Sequence, residues 1–150
     1  MALKERIADE TKAALLGGDR FVGETLRNLK AAILNEEVAA GKRDGGLSDS
    51  EIEKIVAREV KKRNESAKIY RDNDRPELAE IEENEALILK GFLPEQMGEG
   101  ELRSLIETKI SELGATGPQA MGQVIGAVKQ QVGNTADGAL IAQLVKELLA

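Results

Sequence analysis

Residues 48–92 read SDSEIEKIVAREVKKRNESAKIYRDNDRPELAEIEENEALILKGF, and this stretch decides the fold class. Ser48 followed three residues later by Glu51 forms a capping box, in which the Ser side chain satisfies a free backbone N–H while the Glu reaches back. From there Ile52, Val56, Val60, Ala67 and Tyr70 hold one helical stripe for about five turns. Asp72-Asn73-Asp74 ends that helix, and Pro76 suits the first turn of the next, where a missing N–H costs nothing. The second helix sets Leu78, Ile81, Ile88, Leu89 and Phe92 on its stripe. Two amphipathic helices joined by so short a turn must lie side by side.

The same period extends upstream. Leu3, Ile7, Thr11, Ala14 and Leu15 share a stripe before Gly17-Gly18, where glycine can adopt a left-handed cap. A helix after Asp19 carries Val22, Leu26, Leu29 and Ile33 and ends near Gly41, and the Gly-rich residues 42–47 form a turn. Downstream, Phe92-Leu93-Pro94-Glu95-Gln96 interrupts the pattern, because a residue before proline is pushed out of helical geometry. Three shorter helical stretches follow at 99–113, 118–129 and 137–149, separated by Gly114 to Gly117 and Gly133 to Ala136. No segment alternates with period two. The expected fold is all-α, an N-terminal antiparallel four-helix subdomain over 1–92, a connector at 93–98 and a small three-helix tail over 99–150.

Composition narrows the chemistry. The 150 residues contain no His, Cys or Trp and only three aromatics, Phe21, Tyr70 and Phe92. Without Cys there is no disulfide framework or thiolate; without His the usual general base and commonest metal ligand are missing. The default expectation is a protein without catalytic residues, cofactor or metal, leaving carboxylate or lysine chemistry as an enzymatic alternative. Net charge is -6, divided as -5 over residues 1–100 and -1 over 101–150. That argues against a generally basic nucleic-acid binder. There is no run of about 18 apolar residues and no apolar leader after Met1, so a cytoplasmic protein that does not enter a membrane is expected.

Charged residues stand where apolar ones belong. Arg63 falls between Val60 and Ala67, and Glu85 between Ile81 and Ile88. A lone buried charge costs several kcal/mol, so the spacing predicts that these two pair across the helices, with Glu82 near enough to share the cation. A di-iron carboxylate site would need Glu-x-x-His motifs, which a chain without His lacks. Residues 54–75 are locally basic, with Lys54, Arg58, Lys61 and Lys68 on one line and Lys62 beside it. The interspersed Glu51, Glu53, Glu59, Glu65, Asp72 and Asp74 give this stretch the pattern of a solvated helix face with i,i+4 pairs, set against an RNA-facing or acidic-partner surface. In the tail, Gly122 and Gly126 lie four apart on one helix face. Each costs roughly 0.5–1 kcal/mol relative to Ala, so they call for close packing by a neighbouring helix or a partner.

Several segments together resemble the YqeY-like proteins: Leu26-Arg27-x-Leu29-Lys30-Ala31-Ala32-Ile33-x-Asn35-x-Glu37, Lys61-Lys62-Arg63, Arg75-x-x-Leu78-Ala79-x-x-Glu82-x-x-Glu85, Phe92-Leu93-Pro94-x-Gln96, Met121-Gly122-x-Val124-x-Gly126 and Ala136-Asp137-Gly138. The resemblance spans nearly the whole chain. Such proteins are similar to the C-terminal region of the GatB component of the tRNA-dependent amidotransferase, a carbon-nitrogen ligase using glutamine as amido donor, in which that region helps to hold tRNA and other parts do the chemistry. The resemblance therefore implies a non-catalytic helical module acting near tRNA, a tRNA-charging enzyme or an amidotransferase complex. A direct tRNA surface would use Arg58, Lys61, Lys62, Gly122, Gly126, Lys129, Asn134 and Thr135. The family's turn before the last helix carries two basic residues, whereas Gly133-Asn134-Thr135-Ala136-Asp137 here has neither, so tRNA affinity through the tail should be weak and salt-sensitive.

Overall fold

The computed structural model describes residues 2–150; Met1, counted above in the first subdomain, lies outside them. The described residues are all-helical, with α1 Leu3–Leu16, α2 Arg20–Ala39, α3 Asp49–Asp72, α4 Pro76–Lys90, α5 Glu99–Leu113, α6 Met121–Val132 and α7 Gly138–Leu149. Short 3₁₀ turns at Pro118–Ala120 and Gly133–Thr135 flank α6. The chain divides into two compact units, one ending at Leu93 and the other beginning at Pro94.

Helix starts follow the sequence signals. Asp19, Ser48 and Asp137 accept the N–H of Val22, Glu51 and Leu140 respectively, and Pro76 opens α4. The capping box forms on both sides: the Glu51 carboxylate reaches back to the Ser48 backbone N–H, and it also accepts hydrogen bonds from Lys42 and from the Ser48 hydroxyl. Between α3 and α4 the turn needs one residue in left-handed geometry, and Asp74 supplies it at φ 57, a conformation Asp tolerates better than most residues.

In the first unit α1 packs on α2, α3 on α4, and α2 touches both α3 and α4. Leu3, Ile7, Leu26, Leu29, Ile33, Ile52, Ile55, Val56, Val60, Ala86, Leu89 and Phe92 form its core. The expected α4 stripe is shifted. Leu78 and Ile81 are 37% and 46% exposed, whereas Ala79 and Ala86 are buried. Small side chains let α3 and α4 approach closely along that line, which turns the larger neighbours outward. Gly23 serves a similar close approach, since a Cβ there would overlap the Leu15 side chain.

The second unit has its own core of Leu102, Ile106, Val124, Val128, Val132, Ile141, Leu144, Val145 and Leu149. Its first residues are held by the turn after α6. The Met97 N–H donates to Thr135 O at 2.8 Å, and Gln96 Nε2 donates to Asn134 O at 3.0 Å.

Candidate functional site

Two polar clusters stand out in the first unit. In the one anticipated from sequence, Arg63 Nε donates to Glu85 Oε2 at 2.9 Å, and Arg63 NH1 to Glu59 Oε1 at 3.3 Å. The Arg63 and Glu59 side chains are only 11% and 10% exposed. Lys62 approaches the other Glu59 oxygen at 3.5 Å from the solvent side. Glu82 borders this group but accepts no hydrogen bond among the described residues. Partial burial, reinforced by repulsion from Glu85 and only partly offset by Arg63, holds its carboxyl above the usual range. Glu59, expected on the solvated face of its helix, is instead buried, in keeping with its place on the line Ile52, Val56, Glu59, Arg63.

The sign of the Glu82 shift makes a prediction. A raised folded-state pKa means that the charged carboxylate opposes folding above that pKa, and the penalty disappears as pH falls and the folded chain takes up the proton. Glu82→Gln should therefore stabilise the first unit near pH 7, with the gain vanishing in mild acid. Urea titrations at two pH values, followed by Tyr70 fluorescence, would show it; a variant less stable at pH 7 contradicts the assignment.

The second cluster was not anticipated. Glu37 is 1% exposed and accepts bonds from Lys4 Nζ at 2.8 and 3.0 Å and from the Leu47 N–H at 3.2 Å. The Lys4 hydrogen bond holds the Glu37 carboxyl below its ordinary range against the opposing effect of burial. Gly46, at φ 75, brings the turn backbone against this carboxylate; a Cβ there would lie 3.3 Å from Glu37 Oε2. Spacing offered a signal, since Glu37 continues the line of Leu26, Leu29 and Ile33 by one more turn. Nearby, Leu3 N–H donates to Asp49 Oδ1 at 3.1 Å, and the Arg6 guanidinium lies 4.6 Å from the Phe92 ring centroid. These contacts tie α1 to the rest of the unit.

The basic stretch of α3 is largely neutralised. Arg58 pairs with Glu36, Lys68 with Asp72, Arg71 with Glu83 and Arg75 with Glu77. Lys54 and Lys61 have no acidic partner among the described residues. Arg58 and Lys54 border a groove of about 270 Å³ that Glu36 and Glu51 also line, so the groove is charge-balanced.

In the second unit the structure scatters the remaining candidates. Gly122 and Gly126 each have open space where a side chain would stand, since a Cβ at either would meet nothing within 4 Å; no neighbouring helix of the described chain explains them. Lys129 leans over the start of α7, where a Cβ on Gly138 would lie 3.4 Å from its Nζ. Asn134 and Thr135 are half-buried, their carbonyls accept from Gln96 and Met97, and Thr135 Oγ1 donates to Val132 O at 2.6 Å. Among the described residues no group of three or more His, Cys, Asp or Glu could hold a metal ion, and no helix is long and apolar enough to cross a membrane.

Residues 4–149 match the family described as Yqey-like protein. The chain is also similar to two proteins named "Altered inheritance of mitochondria protein 41, mitochondrial". The one from Clavispora lusitaniae is 30% identical over 93 residues, 61% of this chain and 52% of that protein. The one from Pyrenophora tritici-repentis is 23% identical over 147 residues, 96% of this chain and 79% of that protein. The chain therefore spans about half the length of the first relative. These relatives overturn the cytoplasmic expectation, since both are named as mitochondrial. A sequence without Cys is compatible with more than one compartment, and a helical domain of this composition suits several.

Proposed function

The chain belongs to the YqeY-like family, and on that premise we propose that it is a non-catalytic helical interaction module, related to the tail of the GatB component of tRNA-dependent amidotransferase and acting near tRNA or the tRNA-charging machinery. One observation carries the non-catalytic part. The best-placed charges, Glu37, Glu59, Arg63 and Glu85, are tied to one another or to Lys4 and Leu47 in holding helices together, which leaves them poorly placed to attack or protonate a substrate. On this reading residues 1–92 are an antiparallel four-helix subdomain, 93–98 a connector, and 99–150 a tail like that of the amidotransferase component. Affinity capture from the native extract, with and without nuclease, tests it. Amidotransferase or tRNA-charging proteins should be retained after nuclease; their absence from both samples counts against the module.

A second reading, direct tRNA binding, is favoured by one feature: Lys61 has no acidic partner among the described residues and lies beside Lys62 and one helical turn from Arg58. Because Arg58 and Lys62 are paired with glutamates and the tail turn lacks basic residues, filter binding of bulk tRNA should give Kd no tighter than roughly 10⁻⁵ M at physiological salt, within the non-specific range. Saturable micromolar binding that disappears in a Lys61→Glu, Lys62→Glu variant would promote this reading over the first.

A further inference from the structure

The α3–α4 hairpin outruns the core that supports it. That core takes Ile52 to Val60 from α3 and Ala86 and Leu89 from α4. Arg63 and Glu85 pair just above it, and farther out the helices are sealed by Ala67 and Ala79, buried but outside the core cluster. Tyr70 lies two heptads beyond Val56, and Leu78 and Glu82 lie on the helical line of Leu89, so all three continue the face that lower down meets α2. Here the face is left partly open: Leu78 and Ile81 are 37% and 46% exposed, and Tyr70 and Glu82 are half-buried.

This partly open strip has a definite chemistry. Glu59, Glu82 and Glu85 stand against Arg63 and the peripheral Lys62, three carboxylates to two cations. Glu82 is the carboxylate left without a hydrogen bond among the described residues, and partial burial, reinforced by repulsion from Glu85, raises its pKa. Lower in the same hairpin, α2 contacts both α3 and α4, so the groove between them already accepts a helix. We infer that the outer face of the hairpin is a docking surface for an amphipathic helix of a partner protein, which sets aliphatic residues against Leu78 and Ile81 and offers Glu82 an arginine or lysine. An acidic or uncharged helix would bury Glu82 against apolar surface without compensation, which disfavours it. Helix-in-groove recognition by i, i+3 and i+4 anchors is the matching mode.

The inference deepens the interaction-module reading and rests on it. A labelled helical Leu/Lys peptide and its Leu/Glu counterpart serve as probes, with fluorescence anisotropy at physiological salt and amide chemical-shift mapping. The basic peptide should bind at least about tenfold more tightly than the acidic one, and Ile81→Asp and Glu82→Arg should each weaken it about tenfold. Leu87→Ser, at a position 64% exposed on another side of α4, should leave binding within about twofold. Shifts should gather over residues 66–85. Circular dichroism checks that Ile81→Asp folds, and Glu82→Arg tests the face without placing a charge at an apolar position. Equal binding by all variants, shifts elsewhere, or self-association through this face in ultracentrifugation would overturn the inference. If peptide binding is unselective while extract capture still returns tRNA-charging proteins, the surface assignment fails and the module reading stands.

Discussion

Replacing Arg63 by alanine lowers the stability of the first unit by about 3 kcal/mol. The guanidinium is the shared partner of Glu59 and Glu85 at the upper edge of the core. Its removal leaves two carboxylates facing one another beside Glu82, with only Lys62 within reach of one of them. The cost is mainly that of stranded charge rather than of a lost attraction, because a partly buried ion pair gains little over the desolvation it requires. Replacing Arg63, Glu59 and Glu85 together by apolar residues should accordingly recover most of the loss. Tyr70, the single tyrosine, lies in the first unit, so its fluorescence during urea unfolding reports that unit separately from the second. An unchanged midpoint in Arg63→Ala would show that the cluster is as well solvated as a surface pair.

The second large effect is expected at Glu37. Glu37→Ala should cost about 2 kcal/mol, because the Leu47 N–H loses its acceptor and Lys4 its partner. Lys4 is half-exposed and can turn to water, which keeps the cost below that at Arg63. The neighbouring Glu36, exposed and paired only with Arg58, should cost no more than about 0.5 kcal/mol on the same substitution. A pH dependence follows from the lowered Glu37 pKa. Its contribution is fully present above the unfolded carboxylate value near 4.3 and is lost as pH falls through the lower folded value. Wild type and Glu37→Gln should therefore differ most near neutrality and converge in acid. Parallel stability profiles across that window, or unchanged amide exchange at Leu47, would refute the role given to this carboxylate.

These residues also show how far the sequence could be read. Helix starts were legible because caps are local: Asp19, Ser48, Pro76 and Asp137 act on backbone groups within one turn. Arg63 and Glu85 were legible because each interrupts an apolar stripe, which limits what a charge there can do. Glu37 and Glu59 lay on such stripes too, but each sits at the end or edge of its run, where an exposed residue fits the same spacing. For the candidate tRNA surface, spacing placed Arg58, Lys61 and Lys62 on or beside one face and could not say which had found acidic partners. Gly122 and Gly126 drew attention through their helix cost, and the structure shows no neighbour within the described chain to account for them.

Period, caps and composition by themselves determined an all-helical chain, the approximate ends of its helices and the absence of thiol and imidazole side chains; the quoted motifs carried a resemblance that the family match over residues 4–149 bears out. Only the tertiary structure decided which side of each helix is covered. Leu78 and Ile81 carry as strong an apolar signal as Leu89, yet Leu89 is buried and they are not. The difference lies in which part of the α3–α4 hairpin α1 and α2 pack against, and that is set by contacts between segments distant in sequence. Hydrophobic periodicity records which face a helix could bury; whether that face is buried depends on what other part of the fold arrives to meet it.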